Sequence, residues 1–143
     1  CRLAQSDKLK VVYIDIFSCR SDRDFYDAFA SAILKQTSSK LDEWLEHAKL
    51  FLSRISPKIS LGTDPMTDFS ISLEMNPKSN EIDEILQLPE KIAQKKGCNI
   101  VVCIDEFQQI AEFKDSKTLD LAIAEIGVLL LIRQQKTLDE RTL

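Results

Sequence analysis

Residues 99–106 have the sequence NIVVCIDE, an apolar run that ends in two adjacent carboxylates. Apolar runs of this length, rich in β-branched residues, are typical of strands buried on both faces of a parallel sheet. Residues 10–17, KVVYIDIF, form a second run of the same kind. Helical patterns separate the two runs, which favours a parallel sheet with right-handed crossovers. The sequence therefore predicts an α/β domain in which these two strands lie side by side.

Helix signals occupy most of the chain between the two predicted strands. Ser21, with Asp24 three residues later, resembles a capping box and predicts that a helix begins there. An apolar stripe over 41–54 predicts a second helix. In the third helical pattern, Pro89 either kinks the helix or begins a new one, and Gly97 predicts its end.

Two other segments have different periods. Apolar and polar residues alternate in two short runs within 58–76, which predicts a small β-hairpin with one exposed face. An unpaired edge of that hairpin could accept a partner strand or a second copy of the chain, or the hairpin could pack on its own domain. Residues 119–135 are apolar almost all round and predict either a buried helix or a helix followed by a strand at 128–132.

Composition excludes several classes of protein. The 143 residues are 44% hydrophobic and 29% charged, which suits one globular domain. With 19 basic and 23 acidic residues, the chain lacks the clustered basic face expected of a nucleic-acid-binding protein. No apolar run is long enough to span a bilayer, and residues 1–10 lack the apolar segment of a signal peptide.

The four cysteines and the single histidine do not have the spacing of a zinc site. A disulfide framework would suit a smaller secreted chain. We therefore expect reduced thiols in a cytoplasmic protein, with Cys103 as a small core residue.

Asp105 and Glu106 form the pair of residues most able to carry chemistry. In open parallel sheets, ligands bind beyond the carboxyl ends of the strands. One acid at that position can hold a hydrated Mg²⁺ ion, and the other can polarise a water for attack on phosphorus. Asp15, near the end of the other predicted strand, either points into the same crevice or caps a turn. The alternative is that the strand simply leaves the core and the acids are solvated.

The run IVVCIDEFQ at 100–108 resembles the Walker B strand of P-loop ATPases, in the archaeal-type branch close to the AAA+ and STAND ATPases. The run VVYIDIFS at 11–18 resembles the strand that precedes Walker B in that family, and LPEKIA at 88–93 resembles the helix leading into it. The resemblance covers about residues 1–117, whereas 118–143 diverge.

The resemblance implies a three-layer α/β sandwich with a mainly parallel sheet, a partial P-loop NTPase fold, with the small hairpin added. ATP and Mg²⁺ would be its ligands. Asp105 would coordinate Mg²⁺ through water, Glu106 would be the catalytic base that orients the attacking water, and Phe107 would pack in the interior. The resemblance implies no role for Gln108.

The phosphate-binding loop of that family is missing, because no GxxxxGKS or GxxxxGKT occurs in the chain. In the family this loop lies upstream of the strand at 10–17, and residues 1–8 resemble the end of the helix that follows it. The family also has a later strand with a polar sensor residue, often near a Gly-Ser pair that 118–143 lack. We therefore expect 1–143 to be one partial ATPase domain, inactive alone, of a parent that hydrolyses ATP.

Two other functions stay open. A non-catalytic α/β protein-interaction domain with a flavodoxin-like sheet would leave both acids solvated. A divalent-metal nuclease would need more acids and a lysine converging on one site, and the sequence does not show that spacing. Among partners, we expect ATP in the parent and a protein or second copy at a sheet edge, but neither nucleic acid nor a membrane.

Overall fold

The computed structural model of the chain describes residues 8–55, 57–63, 69–73, 79–113 and 130–133. A strand, two helices, a hairpin, a helical segment and a second strand follow one another up to residue 105, in the order that the sequence predicts. The elements are β1 (Leu9–Asp15), α1 (Asp22–Thr37), α2 (Leu41–Phe51), β2 (Pro57–Leu61), β3 (Phe69–Leu73), α3 (Ser79–Leu86), α4 (Leu88–Lys96), β4 (Asn99–Asp105) and β5 (Leu130–Arg133). Two 3₁₀ segments, Ser53–Ile55 and Phe107–Glu112, follow α2 and β4.

β4 is the central strand of a three-stranded parallel sheet with the order β1-β4-β5. Val102, Cys103 and Ile104 of β4 are buried, as are Val11 and Val12 of β1. Burial of successive residues on both sides of β4 explains why the strand is a continuous apolar run rather than an alternating one. The prediction that the two apolar runs are adjacent parallel strands is confirmed, and the class is α/β with a small parallel sheet and a hairpin.

The predicted second helix is shorter than expected. α2 ends at Phe51, and a 3₁₀ turn occupies 53–55, where the prediction continued the helix to 54. Leu52, the C-cap of α2, has φ −114° and ψ 15°, so the helical backbone ends there, well before Pro57.

The other local signals are confirmed. The N–H of Asp24 donates to Ser21 Oγ at 3.2 Å, so Ser21 is the N-cap of α1. The Asp24 carboxylate accepts from the N–H of Arg20 at 2.9 Å, one residue before the position that a capping box requires. Pro89 is the second residue of α4 and so begins a new helix, and Gly97 ends that helix with a φ of 64°.

β5 decides between the two predictions made for the last third of the chain. Leu130–Arg133 pairs with β4 in parallel, which confirms a strand close to the predicted 128–132. The helix predicted before it, between residue 119 and the strand, lies outside the described residues.

The hairpin packs against α1 of its own domain. β2 and β3 are antiparallel, with Ile59 opposite Ile71, which confirms the hairpin predicted within 58–76. Ile71 is buried, and its N–H donates to Ser31 Oγ of α1 at 3.2 Å. α1 also contacts β1, and it buries one apolar face that includes Phe25 and Phe29. Both sheets therefore pack against the same helix, α1.

None of the helices in the described ranges is both long enough and apolar enough to cross a membrane.

A polar cluster joins the ends of three helices. Lys96 lies in the last turn of α4, and its Nζ is 2.5 Å from Oε1 of Glu43 in α2. The same ammonium group donates a hydrogen bond to the carbonyl oxygen of Thr37 in α1. The N–H and hydroxyl of Ser39 also donate to Glu43, at 2.7 and 3.1 Å. Burial alone would raise the pKa of Glu43, but the hydrogen bonds from Lys96 and Ser39 outweigh it and lower the pKa to about 2.

Glu43 is expected to make the free energy of unfolding depend on pH in the acid range. Its folded pKa is below the ordinary value of 4.5, so its ionised form stabilises the fold above that pH. This contribution is lost as the pH falls from about 4.5 towards 2. Urea denaturation over that range should therefore show a weaker pH dependence for Glu43→Gln than for the wild type. The exposed Glu112→Gln variant should follow the wild type, and a Glu43→Gln curve with the wild-type slope would contradict the prediction.

Candidate functional site

The carboxyl ends of the three parallel strands lie together at one end of the sheet. Asp15 of β1 is paired with Asp105 of β4, and Asp105 is paired with Arg133 of β5. The two predicted acids, Asp105 and Glu106, therefore stand at the end of the central strand, with a strand on either side. This is the side of a parallel sheet on which ligands bind.

Both aspartates are tied to the turns that follow their strands. Asp105 is half-buried, and its Oδ1 accepts the N–H of Glu106 at 3.0 Å. Asp15 is exposed, and its Oδ1 accepts the N–H of Phe17 at 2.9 Å. The sequence left open whether Asp15 caps a turn or shares the crevice. Asp15 does cap the turn, and that turn lies at the same end of the sheet as Asp105.

Glu106 has a left-handed backbone, with φ 60° and ψ 35°. It is the non-glycine residue with positive φ within the part of the chain that the structure describes. The left-handed turn lets the 3₁₀ helix begin directly after β4, and the carbonyl oxygen of Glu106 accepts the N–H of Gln109 at 2.9 Å. A side chain with a Cβ makes this conformation cost about 1 kcal/mol. Residues held in such conformations are frequent at functional sites.

Gln108 contacts the carboxylate of Glu106 directly. Its Nε2 donates a hydrogen bond to Glu106 Oε2, which orients that carboxylate. Sequence reasoning assigned Gln108 no role, and its only signal was a polar side chain two residues after the acids. Phe107, between the two, packs against the hydrophobic core, as expected.

In the described ranges, no group of three or more His, Cys, Asp or Glu side chains is placed to hold a metal ion by itself. His47 is buried in α2 beside the ring of Phe51, and burial lowers its pKa. Cys19 and Cys103 are free, buried thiols, and burial raises the pKa of each. The prediction that Cys103 is a core residue is confirmed.

Asp15 and Asp105 are nevertheless suitable ligands for Mg²⁺. Carboxylate oxygens are the hard ligands that this ion prefers, and the two residues occupy paired positions on adjacent strands. Two carboxylates fill only part of an octahedral shell. That number fits an ion which keeps several waters and takes its remaining oxygens from a substrate phosphate.

No family model, curated protein or solved structure matches the chain.

The left-handed backbone of Glu106 predicts an unusual order of stabilities at this position. Glu106→Gly should have a free energy of unfolding about 1 kcal/mol higher than Glu106→Ala, because glycine adopts positive φ without the Cβ penalty. Chemical denaturation of the two variants measures the difference.

Gly97→Ala is the matched reference for that comparison. Gly97 has a φ of 64°, and an added Cβ would meet no atom within 4 Å, so the loss of stability in Gly97→Ala reports the left-handed backbone and not a steric clash. Equal stabilities of the glycine and alanine variants at position 106, alongside a clear loss in Gly97→Ala, would contradict the left-handed turn.

Proposed function

We propose that the chain is part of a P-loop ATPase and that Asp15, Asp105 and Glu106 form the magnesium and water side of its ATP-hydrolysing site. The observation that carries the proposal is the position of Asp105 and Glu106 at the carboxyl end of the central strand of a parallel sheet. The complete fold would be a three-layer α/β sandwich, to which an upstream strand, phosphate loop and helix of the parent belong.

Asp105 would hold Mg²⁺ through water, with Asp15 as a second carboxylate on the neighbouring strand. The hydrogen bond from the N–H of Glu106 fixes one oxygen of Asp105, so the carboxylate does not have to be ordered when the ion binds. When bound, Mg²⁺ neutralises charge on the phosphates of ATP.

Glu106 would act as the general base. Its carboxylate would accept a proton from water as the water oxygen bonds to the γ-phosphorus and the bond to the bridging oxygen breaks, which gives ADP and inorganic phosphate. Gln108 would be a positioning residue, because its amide donates to Glu106 Oε2 and leaves the other oxygen for the water. Phosphoryl transfer requires mainly such positioning from the protein.

The three acids at the carboxyl ends of the strands require a complementary source of positive charge. Carboxylates repel the phosphates of ATP, and the backbone N–H groups and lysine of a GxxxxGKS or GxxxxGKT loop supply the attraction in P-loop proteins. The chain contains no such motif. ATP affinity would therefore come from another part of the parent protein.

The 143-residue chain alone is expected to bind ATP weakly or not at all, even when Mg²⁺ is present. Isothermal titration calorimetry with Mg²⁺ and ATP measures this directly, with the full-length parent as the positive control. Micromolar affinity in the isolated chain would mean that it supplies its own phosphate contacts. That result would contradict the proposal that those contacts come from another part of the parent protein.

Glu106→Gln in the full-length parent should lower ATP turnover by at least about 100-fold, because an amide cannot accept the proton from water. ATP affinity should be retained, since a carboxylate at position 106 would repel the phosphates rather than attract them. A coupled assay for phosphate release and a nucleotide-binding measurement separate the two quantities.

Glu112→Gln is the matched control, because Glu112 is an exposed glutamate in the 3₁₀ helix that follows Glu106. It should keep wild-type turnover. Wild-type turnover in Glu106→Gln would remove that residue as the base. If Asp105→Asn also retained every activity of the parent, the non-catalytic interaction domain would be the better description.

A further inference from the structure

The last turn of α1 places the side-chain amide of Gln36 against the backbone of β1. Gln36 Nε2 donates to the carbonyl oxygen of Tyr13 at 2.7 Å, and Gln36 Oε1 accepts the N–H of Tyr13 at 2.8 Å. One side chain thus bonds both main-chain polar groups of a residue 23 positions away in the sequence. Both distances lie within the normal range for N–H···O hydrogen bonds.

The main-chain groups of Tyr13 point away from β4. In a parallel pair, the N–H and C=O of alternate residues face the neighbouring strand. The carbonyl oxygen of Lys8 accepts from Asn99 at 2.8 Å, and the N–H of Ile16 donates to Asp105 at 3.4 Å. The main-chain groups of even-numbered β1 residues therefore face β4, and those of Tyr13 face the opposite side, on which the sheet of the described residues has no further strand.

We propose that Gln36 closes the β1 edge of the parallel sheet against the addition of another strand. A strand added beside β1 would bond the same N–H and C=O of Tyr13, with one carbonyl and one N–H of its own. The Gln36 amide supplies one acceptor and one donor and occupies both positions. This role is independent of the proposed ATPase function.

Exposure makes this closure necessary. Gln36 is exposed and Tyr13 is 50% exposed, so this stretch of edge is not buried by any of the residues that the structure describes. An unpaired, exposed and partly apolar edge is a template for strand pairing with another chain. At the hairpin, by contrast, the Ile71 amide that Ser31 bonds belongs to a buried residue, so helix packing covers that position as well.

Gln36→Ala in the 143-residue chain tests the proposal by two measurements. Hydrogen exchange followed by NMR should show the Tyr13 amide exchanging at least about tenfold faster than in the wild type. Sedimentation velocity should show a sedimentation coefficient that rises with concentration in the variant but not in the wild type, because the opened edge pairs with a second copy.

Gln94→Ala is the matched control. Gln94 is an exposed helical glutamine whose amide donates to Glu90 of the same helix at 3.4 Å, so neither measurement should change. Gln36→Met is a second test variant that keeps the length and helix propensity of the side chain while removing both hydrogen bonds. It decides the question by the same two measurements if Gln36→Ala does not fold.

Two results would overturn the proposal. One is a Tyr13 amide exchange rate within about twofold of the wild-type rate in the Gln36 variants, which would mean that Gln36 does not protect the edge. The other is faster exchange with no self-association at any concentration tested, which would mean that the edge does not need closing.

Discussion

The parallel pairing of β1 with β4 determines where the two aspartates of the candidate site lie. Asp15 is opposite Asp105, so the two strands end at the same level and both turns begin there. A slip of one residue would bring the Asp105 carboxylate level with Ile14 or Ile16, both of which are buried. Placing a charge in that interior costs several kcal/mol, on the order of the stability of a whole small domain. The apolar core therefore also enforces the alignment of the acids.

Much of the fold could be predicted because its signals are local. The apolar runs of β1 and β4 and the cap at Ser21 can be recognised without knowing the partners of these elements. Pro89 and Gly97 likewise act through their own backbone preferences. The end of the chain is different, because a short apolar run fits a helix or a strand equally well, and pairing with β4 decides which one forms.

For the candidate site, the sequence predicted the residues but not their geometry. An acid-tipped strand identified Asp105 and Glu106, yet glutamate has no preference for positive φ that could have indicated the turn at Glu106. The Gln108 contact depends on that turn. The Gln36 contact with Tyr13 depends on how α1 packs across the sheet, which no local pattern encodes. Sequence patterns therefore predict which groups are available, and tertiary packing determines which of them meet.

α1 joins the two sheets mechanically, since its side chains hold Tyr13 in one and Ile71 in the other. A partly unfolded form in which this helix has detached would release the two backbones simultaneously. Such a form would be more prone to aggregate than the native state, because it would offer two unsatisfied backbones to other chains. The solubility of the chain during synthesis and refolding would then depend on how quickly a single helix docks, rather than on the stability of either sheet.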